Sequence, residues 1–411
     1  MTHDDNTALA DGWRDGFPTA GAEVQRPRER PVFQAPQNRW AFSHLRELQP
    51  TRNVPRGNGP VSVLPLALRP ELEAVRFARL SDGAQTDWLR ALEAICADGA
   101  VVLHRGRIVY QRYFGALEEH GQHMAMSVTK SVVGTLGAML AADGTLDEHA
   151  LVTHYIPELG VSAFGRATVR QVMDMTTDID YSEDYADPEA GVWKHARAGE
   201  LLPRPASYAG AEGYRQFLQT VQGQGAHGRA FAYRTVNTDV LGWLVGRAAG
   251  QPLAQVLSER IWSRLGAEQD AAFAVDGQGA DFAGGGLCTG LRDLARLGET
   301  MRLGGFFNGT QVVPEAVVAD IRRGADAARF ALAGYARLAG WSYRNMWWVA
   351  HDAHGTFTAQ GIHGQVLHID PVAEMVVARF ASHPLAANAH LPASMPAFRA
   401  LAAQLMGGEG G

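Results

Sequence analysis

Cysteine is almost absent. Cys96 and Cys288 are the two thiols in 411 residues, far apart and without metal-ligand spacing. Such sparseness fits a reducing, cytoplasmic setting, and both side chains read as core residues. No uninterrupted apolar run reaches about eighteen residues, so no membrane span is expected. A net charge of −6 without a basic run argues against nucleic acid as a partner. The opening Met1-Thr-His-Asp-Asp-Asn6 lacks the basic and apolar regions of a secretory signal. Lysine is the other scarcity. Of 37 basic residues, Lys130 and Lys194 are the two lysines, and the rest are arginine. No internal repeat or low-complexity tract shows.

What is present is a large core. Apolar content of 46% with 19% charge describes a globular chain long enough for two or three structural units. Residues 1–60 hold seven of the 19 prolines, which argues against helix and sheet interior, and they are expected to form an extended arm over the body. A helix is expected over 87–97, then a hairpin from Ala100–Leu103 and Ile108–Phe114 with glycine in its turn. Residues 145–264 read as mostly helical, with helices at 169–175, 212–222, 238–249 and 253–265. Strand signals return at 340–350, 356–361, 365–370 and 375–381. The expected architecture is therefore α/β (α+β). One antiparallel sheet is built from 61–144 and 265–411 and flanked by helices, and 145–264 forms a helical lobe beside it. A cleft between them is the natural place for a small molecule.

The chemistry centres on 127–140. Apolar and small residues run nearly all round this stretch, as in a core helix, with Ser127 at the N-cap position and Asp143-Gly144 at the end. Ser127 and Lys130 are three apart and share a face. Unlike arginine, a lysine can lose its proton when desolvated, so a lysine inside such a helix suits a general base for the serine. A third group is available in Phe231-Ala-Tyr233-Arg-Thr-Val-Asn237, where an ammonium nearby would favour the phenolate of Tyr233. An irregular acidic loop, Asp178-Ile-Asp-Tyr-Ser-Glu-Asp-Tyr-Ala-Asp-Pro-Glu189, precedes Gly191-Val-Trp-Lys-His195, and its Tyr181, Tyr185 and Trp193 are candidates to line a pocket. Ala283-Gly-Gly-Gly-Leu287 reads as a flexible backbone point, and Thr289 as the cap of a helix reaching Leu303. His363 and His368 lack a third ligand at metal spacing, and no Gly-x-Ser-x-Gly surrounds a serine, so neither a metal site nor a Ser-His-Asp triad is expected.

Taken together these segments resemble the serine β-lactamase-like and penicillin-binding-protein-like hydrolases. Ser127-Val-Thr-Lys130 matches the family's Ser-x-x-Lys. Val169–Thr176, Tyr233 onward to Gly242, and Gly284–Gly298 resemble later family stretches in the right order over roughly 90–385. Two departures stand out. Tyr233 and Asn237 are four apart instead of two, and Ala359-Gln-Gly-Ile-His-Gly364 replaces the sheet-edge Lys-Thr-Gly. Both are similar to the 6-aminohexanoate-dimer hydrolase branch. The resemblance implies an acyl-enzyme amidase for a short linear amide, with Ser127 as nucleophile, Lys130 as base and Tyr233 as proton relay. It places Gly361 and Ile362 at the oxyanion edge, Tyr185 and Asp187 on the substrate amide and amine, and Trp193 and His195 in a lid. A carboxylesterase or weak β-lactamase is the rival on the same fold, and a non-catalytic binding protein the rival outside it. The expected partner is a small amide or ester, with a homodimer compatible and no cofactor needed.

Overall fold

The computed structural model describes residues 33–386 and 391–407. Seven antiparallel strands form the main sheet, in the order Ser342–Arg344, Trp347–Val349, Phe357–Gln360, Val366–Asp370, Met375–Ala381, Ala97–His104 and Arg107–Tyr113. The early hairpin thus joins the C-terminal strands through the pairing of Ala97–His104 with Met375–Ala381. Alternation along these strands divides the core. Val101, Leu103, Val376 and Ala378 face one way, with Leu294 and Leu297 of the helix Leu291–Arg302. Ala100, Val102 and Val377 face the other, with Trp88, Phe398 and Leu401. Helices therefore cover both faces of the sheet.

The helix that follows Ser127 spans Val128–Ala142, and every residue from Val128 to Leu140 is buried. Small residues permit this. A Cβ on Gly134 would stand 2.2 Å from the Asn345 carbonyl, and one on Gly137 would stand 3.0 Å from Leu241. The helix's polar side chains find partners. Ser131 Oγ donates to the Met346 carbonyl at 2.7 Å, and the Trp347 indole donates to Thr135 Oγ1 at 2.9 Å. Among the described residues, 145–264 contain helices and no named strand, with Val236–Ala249 packed across the nucleophile helix.

Several expectations are corrected. Residues 1–32 lie outside the described residues, but the end of the expected arm is structured. Asn38–Ala41 and Leu45–Leu48 are short helices, and Thr51–Val54 pairs with Ala271–Ala274. That strand fits between Pro50 and Pro55 because it is the edge of its sheet, where a proline removes no ladder bond. It belongs to a second, four-stranded sheet with Leu287–Gly290 and Gln122–Met124, so the expectation of one sheet is too simple. Residues 340–350 make a hairpin rather than one strand, because Asn345 and Met346 turn the chain at φ +47° and +64°. Thr289 does not cap the following helix. It lies in a strand, and Gly290 is the N-cap. Cys288 is buried and Cys96 only partly so.

Candidate active site

Gln122–Met124 delivers the chain to the nucleophile helix through Met126, held at φ +47°. This sharp turn ends at Ser127, which caps the helix in position only. Its side chain makes no capping bond and instead lies 2.8 Å from Lys130 Nζ, one turn on. Lys130 also donates to the Gly284 carbonyl at 2.5 Å. Burial lowers its pKa to about 8, against the opposing pull of Glu183 and Asp239. The neutral amine is therefore far more accessible than in an exposed lysine, beside the hydroxyl it would deprotonate.

The triple glycine is a tightly packed wall, not a flexible point. A Cβ on Gly284 would meet Thr235 at 2.5 Å, and one on Gly285 would meet Phe282 at 2.9 Å. The Gly284 amide donates to Asp239 Oδ1 at 2.9 Å, which fixes the carbonyl that Lys130 uses. Tyr233 is hydrogen-bonded to Ser127, and its ring stacks on Trp348 at 5.4 Å. Its pKa is raised, first by burial and then by Glu183, so the expected tendency to ionise is overturned. Lys130 Nζ sits over the ring, 5.3 Å from its centroid. Tyr233 is thus a neutral phenol with a proton to give.

The end of strand Phe357–Gln360 closes the site. A Cβ on Gly361 would stand 3.0 Å from both the Ala125 carbonyl and Met126 Cβ, so the glycine lets the sheet edge meet the nucleophile turn. Its own N–H is spent on the Gln365 carbonyl at 2.9 Å. Among the described residues the N–H groups of Ser127 and Ile362 have no protein acceptor, as an oxyanion hole requires.

The remaining expectations divide. Tyr185 reaches the site. Its hydroxyl donates to Glu183 at 3.2 Å, and Trp193 packs edge-on against its ring at 5.6 Å. Asp187 does not reach it. The residue is exposed, and its carboxylate accepts from the Glu189 amide at 2.9 Å, because the helix starting at Gly191 turns it outward. His195 is no lid. It is 1% exposed, packed among Tyr181, Tyr214, Phe217 and Phe282, with Nε2 3.2 Å from Asp239. Asn237 is structural, accepting from Thr177 Oγ1 at 2.7 Å. His363 Nδ1 sits 2.6 Å from the His383 carbonyl, and burial lowers its pKa to about 4. His368 stacks on Phe398 at 4.8 Å. Among the described residues no group of three His, Cys, Asp or Glu is placed to hold a metal, and no helix is long and apolar enough to cross a membrane.

Sequence reasoning missed Glu183, Gln360, Asp239 and Arg234. Glu183 accepts from the Thr235 amide at 2.7 Å and from the Thr235 hydroxyl, tying the acidic loop to the Tyr233 segment. The loop's acidity was visible, but which of its acids turned inward was not.

A buried serine coupled to a lysine of lowered pKa, a phenol and two free amides defines a serine hydrolase site. The comparisons with known proteins agree: the chain belongs to the Beta-lactamase family, which matches residues 87–394. It is 36% identical over 365 residues to the 6-aminohexanoate-dimer hydrolase of Paenarthrobacter ureafaciens, covering 89% of this chain and 90% of that protein. A Bacillus anthracis protein provisionally named as a 6-aminohexanoate-dimer hydrolase superposes with a TM-score of 0.85 at 30% identity, over 92% of this chain and 97% of that one. EstCE1, a hydrolase with promiscuous acyltransferase activity, shares the fold at a TM-score of 0.60 and 19% identity, over 76% of this chain and 96% of that one.

Proposed function

We propose that the protein hydrolyses the amide of a short linear substrate of the 6-aminohexanoate-oligomer type through an acyl-enzyme on Ser127. The observation that carries this reading is the Lys130–Ser127 contact of 2.8 Å in a fully buried setting. Neutral Lys130 accepts the Ser127 proton as Oγ bonds to the carbonyl carbon. The Ser127 and Ile362 amides receive the oxyanion. As the C–N bond breaks, the Tyr233 phenol protonates the departing nitrogen, which an amide requires because an amide anion is too poor a leaving group. Deacylation runs in reverse. Water adds to the acyl carbon and passes its proton to the Tyr233 phenolate, and Ser127 Oγ departs with the proton held on Lys130. Every group returns to its starting state.

The family resemblance to an amide hydrolase supports the substrate class, and the missing sheet-edge lysine counts against efficient β-lactam binding. The test is hydrolysis of 6-aminohexanoate dimer, p-nitrophenyl butyrate and nitrocefin by wild type and Ser127→Ala. Dimer turnover that vanishes in the variant is the expected result. Turnover of the ester alone would leave the nucleophile in place and move the function to a carboxylesterase.

A further inference from the structure

The oxyanion donor Ile362 sits in a turn that is clamped from behind. His363 and Gly364 both take positive φ, +61° and +102°, a path that a chain with a side chain at 363 does not favour unaided. Partners hold it there, and each carbonyl from Ile362 to Gln365 accepts a hydrogen bond. Gln365 Nε2 donates to Ile362 at 3.2 Å, and the His383 amide donates to His363 at 3.0 Å. Arg379 Nε donates to Gly364 at 3.0 Å, and the Gly361 amide donates to Gln365 at 2.9 Å. With the carbonyls fixed, the direction of the Ile362 N–H is fixed too.

Arg379 is the unexpected member of this set. It lies on Met375–Ala381, opposite Val366 in the sheet, and is 1% exposed. Its guanidinium also donates to Ser394 Oγ at 2.9 Å and rests over the Phe398 ring, 5.7 Å from the centroid. Nη2 is buried with no acceptor. Burial alone pulls its pKa down to about 9, and no carboxylate among the described residues opposes it. A buried cation without a counter-charge destabilises a fold, and an apolar side chain would pack beside Phe398 with less penalty. What the guanidinium adds is a charge-assisted bond to the Gly364 carbonyl, stronger than a neutral donor would make. Arg379 borders neither cavity that opens at Ser127, so it does not touch the substrate.

We infer that Arg379 is a positioning residue for the oxyanion. Through the Gly364 carbonyl it sets the turn that aims the Ile362 N–H at the carbonyl oxygen under attack by Ser127. A donor held in place before charge develops stabilises that charge without reorganising. This rests on the acyl-enzyme reading above and adds to it a residue behind the sheet edge.

The test measures kcat and KM on p-nitrophenyl butyrate and the 6-aminohexanoate dimer, with active sites counted by complete labelling of Ser127 with a fluorophosphonate. Arg379→Met is expected to lower kcat per labelled serine by about 10- to 100-fold, less than deleting an oxyanion donor outright, with KM changed by no more than about twofold. The loss is expected on ester and amide alike, because both pass through the oxyanion. Arg379→Lys, which keeps a charged donor, is expected to recover most of it. A role in folding alone would reduce the number of labelled sites and leave kcat per site as in wild type, which would overturn the inference. A lysine variant no better than methionine, or a loss confined to the amide, would overturn it as well. Should Arg379→Met yield no folded protein, Ser394→Ala frees one arm of the guanidinium without touching the turn. It is expected to lower kcat per site by about threefold, and no change there would overturn the inference. Wild-type protein that turns over neither substrate through Ser127 would overturn the acyl-enzyme reading and the inference with it. Turnover of the ester alone would overturn only the amide preference, and the Arg379 comparison would then be decided on the ester.

Discussion

Lys130 carries the cost of its function in the fold. A pKa of about 8 in place of 10.5 means that folding disfavours its ammonium form. Near neutral pH that shift is worth on the order of 3 kcal/mol against the native state. The unfolded chain binds more protons between the two values, so stability from this group is lost as pH falls through about 8 and regained as pH rises towards 10.5. Lys130→Met is therefore expected to abolish turnover yet raise the unfolding free energy at pH 7, with the advantage shrinking in denaturant titrations at pH 10. The same group sets the rate profile. kcat/KM is expected to rise with pH to a midpoint near 8, with no fall before pH 10, since burial keeps the Tyr233 phenol protonated there. A rise centred near pH 6 would point to a histidine instead. Tyr233→Phe is expected to slow amide hydrolysis by roughly 10²- to 10⁴-fold, the usual contribution of one proton donor. A p-nitrophenyl ester, whose leaving group needs no proton, should lose far less.

At the scale of elements, two glycines decide how closely the site's supports approach. Gly361 brings the strand Phe357–Gln360 against the turn before Ser127, with an added Cβ 3.0 Å from the Ala125 carbonyl. Gly361→Ala should push the Ile362 amide away from the oxyanion position and lower kcat by about 10²-fold, the effect of losing one such donor. Melting temperature should change little, because the neighbours need yield by only tenths of an ångström. Gly134 is different. Its Cβ would lie 2.2 Å from the Asn345 carbonyl, against a hairpin turn that Ser131 and Asp174 hold in place. Gly134→Ala should lose soluble, folded protein, as judged by expression and thermal denaturation. The Asn345-Met346 turn is thus both the end of a hairpin and the seat of the nucleophile helix.

Across the whole molecule, the helical segment and the sheet are tied by a charge network behind the site. Arg344 donates to Asp174 at 2.7 Å and to Asp320 at 2.8 Å, and Asn345 donates to Asp320 at 2.8 Å. Arg344 and Arg170 help hold the Asp320 carboxyl below its usual range. Arg344→Ala leaves one buried and one half-buried carboxylate short of a counter-charge. It should lower the unfolding free energy by about 3 kcal/mol in a denaturant titration, since removing one partner strands the others. The loss should shrink in acid, as Asp320 becomes protonated.

Much of this was readable in the chain itself. Unbroken apolar and small residues marked the helix after Ser127, because it is buried all round, and short apolar runs between turn residues marked the hairpin and the C-terminal strands. The rarity of lysine singled out Lys130, and its three-residue spacing from Ser127 forced them together on any helix. Tyr233 and Ile362 were placed by order along the chain and by resemblance. What the chain could not specify is which atoms face one another across long separations. Asp187 and His195 looked like site residues from their neighbours in sequence, and only the packing of Gly191–Ala198 turned one outward and buried the other. The inward turn of Glu183 and the bond from Arg379 to the Gly364 carbonyl arise where distant segments meet. So does the protonation of Tyr233, where burial and Glu183 outweigh the hydrogen bond with Ser127. Those are properties of distance and desolvation, which tertiary structure alone supplies.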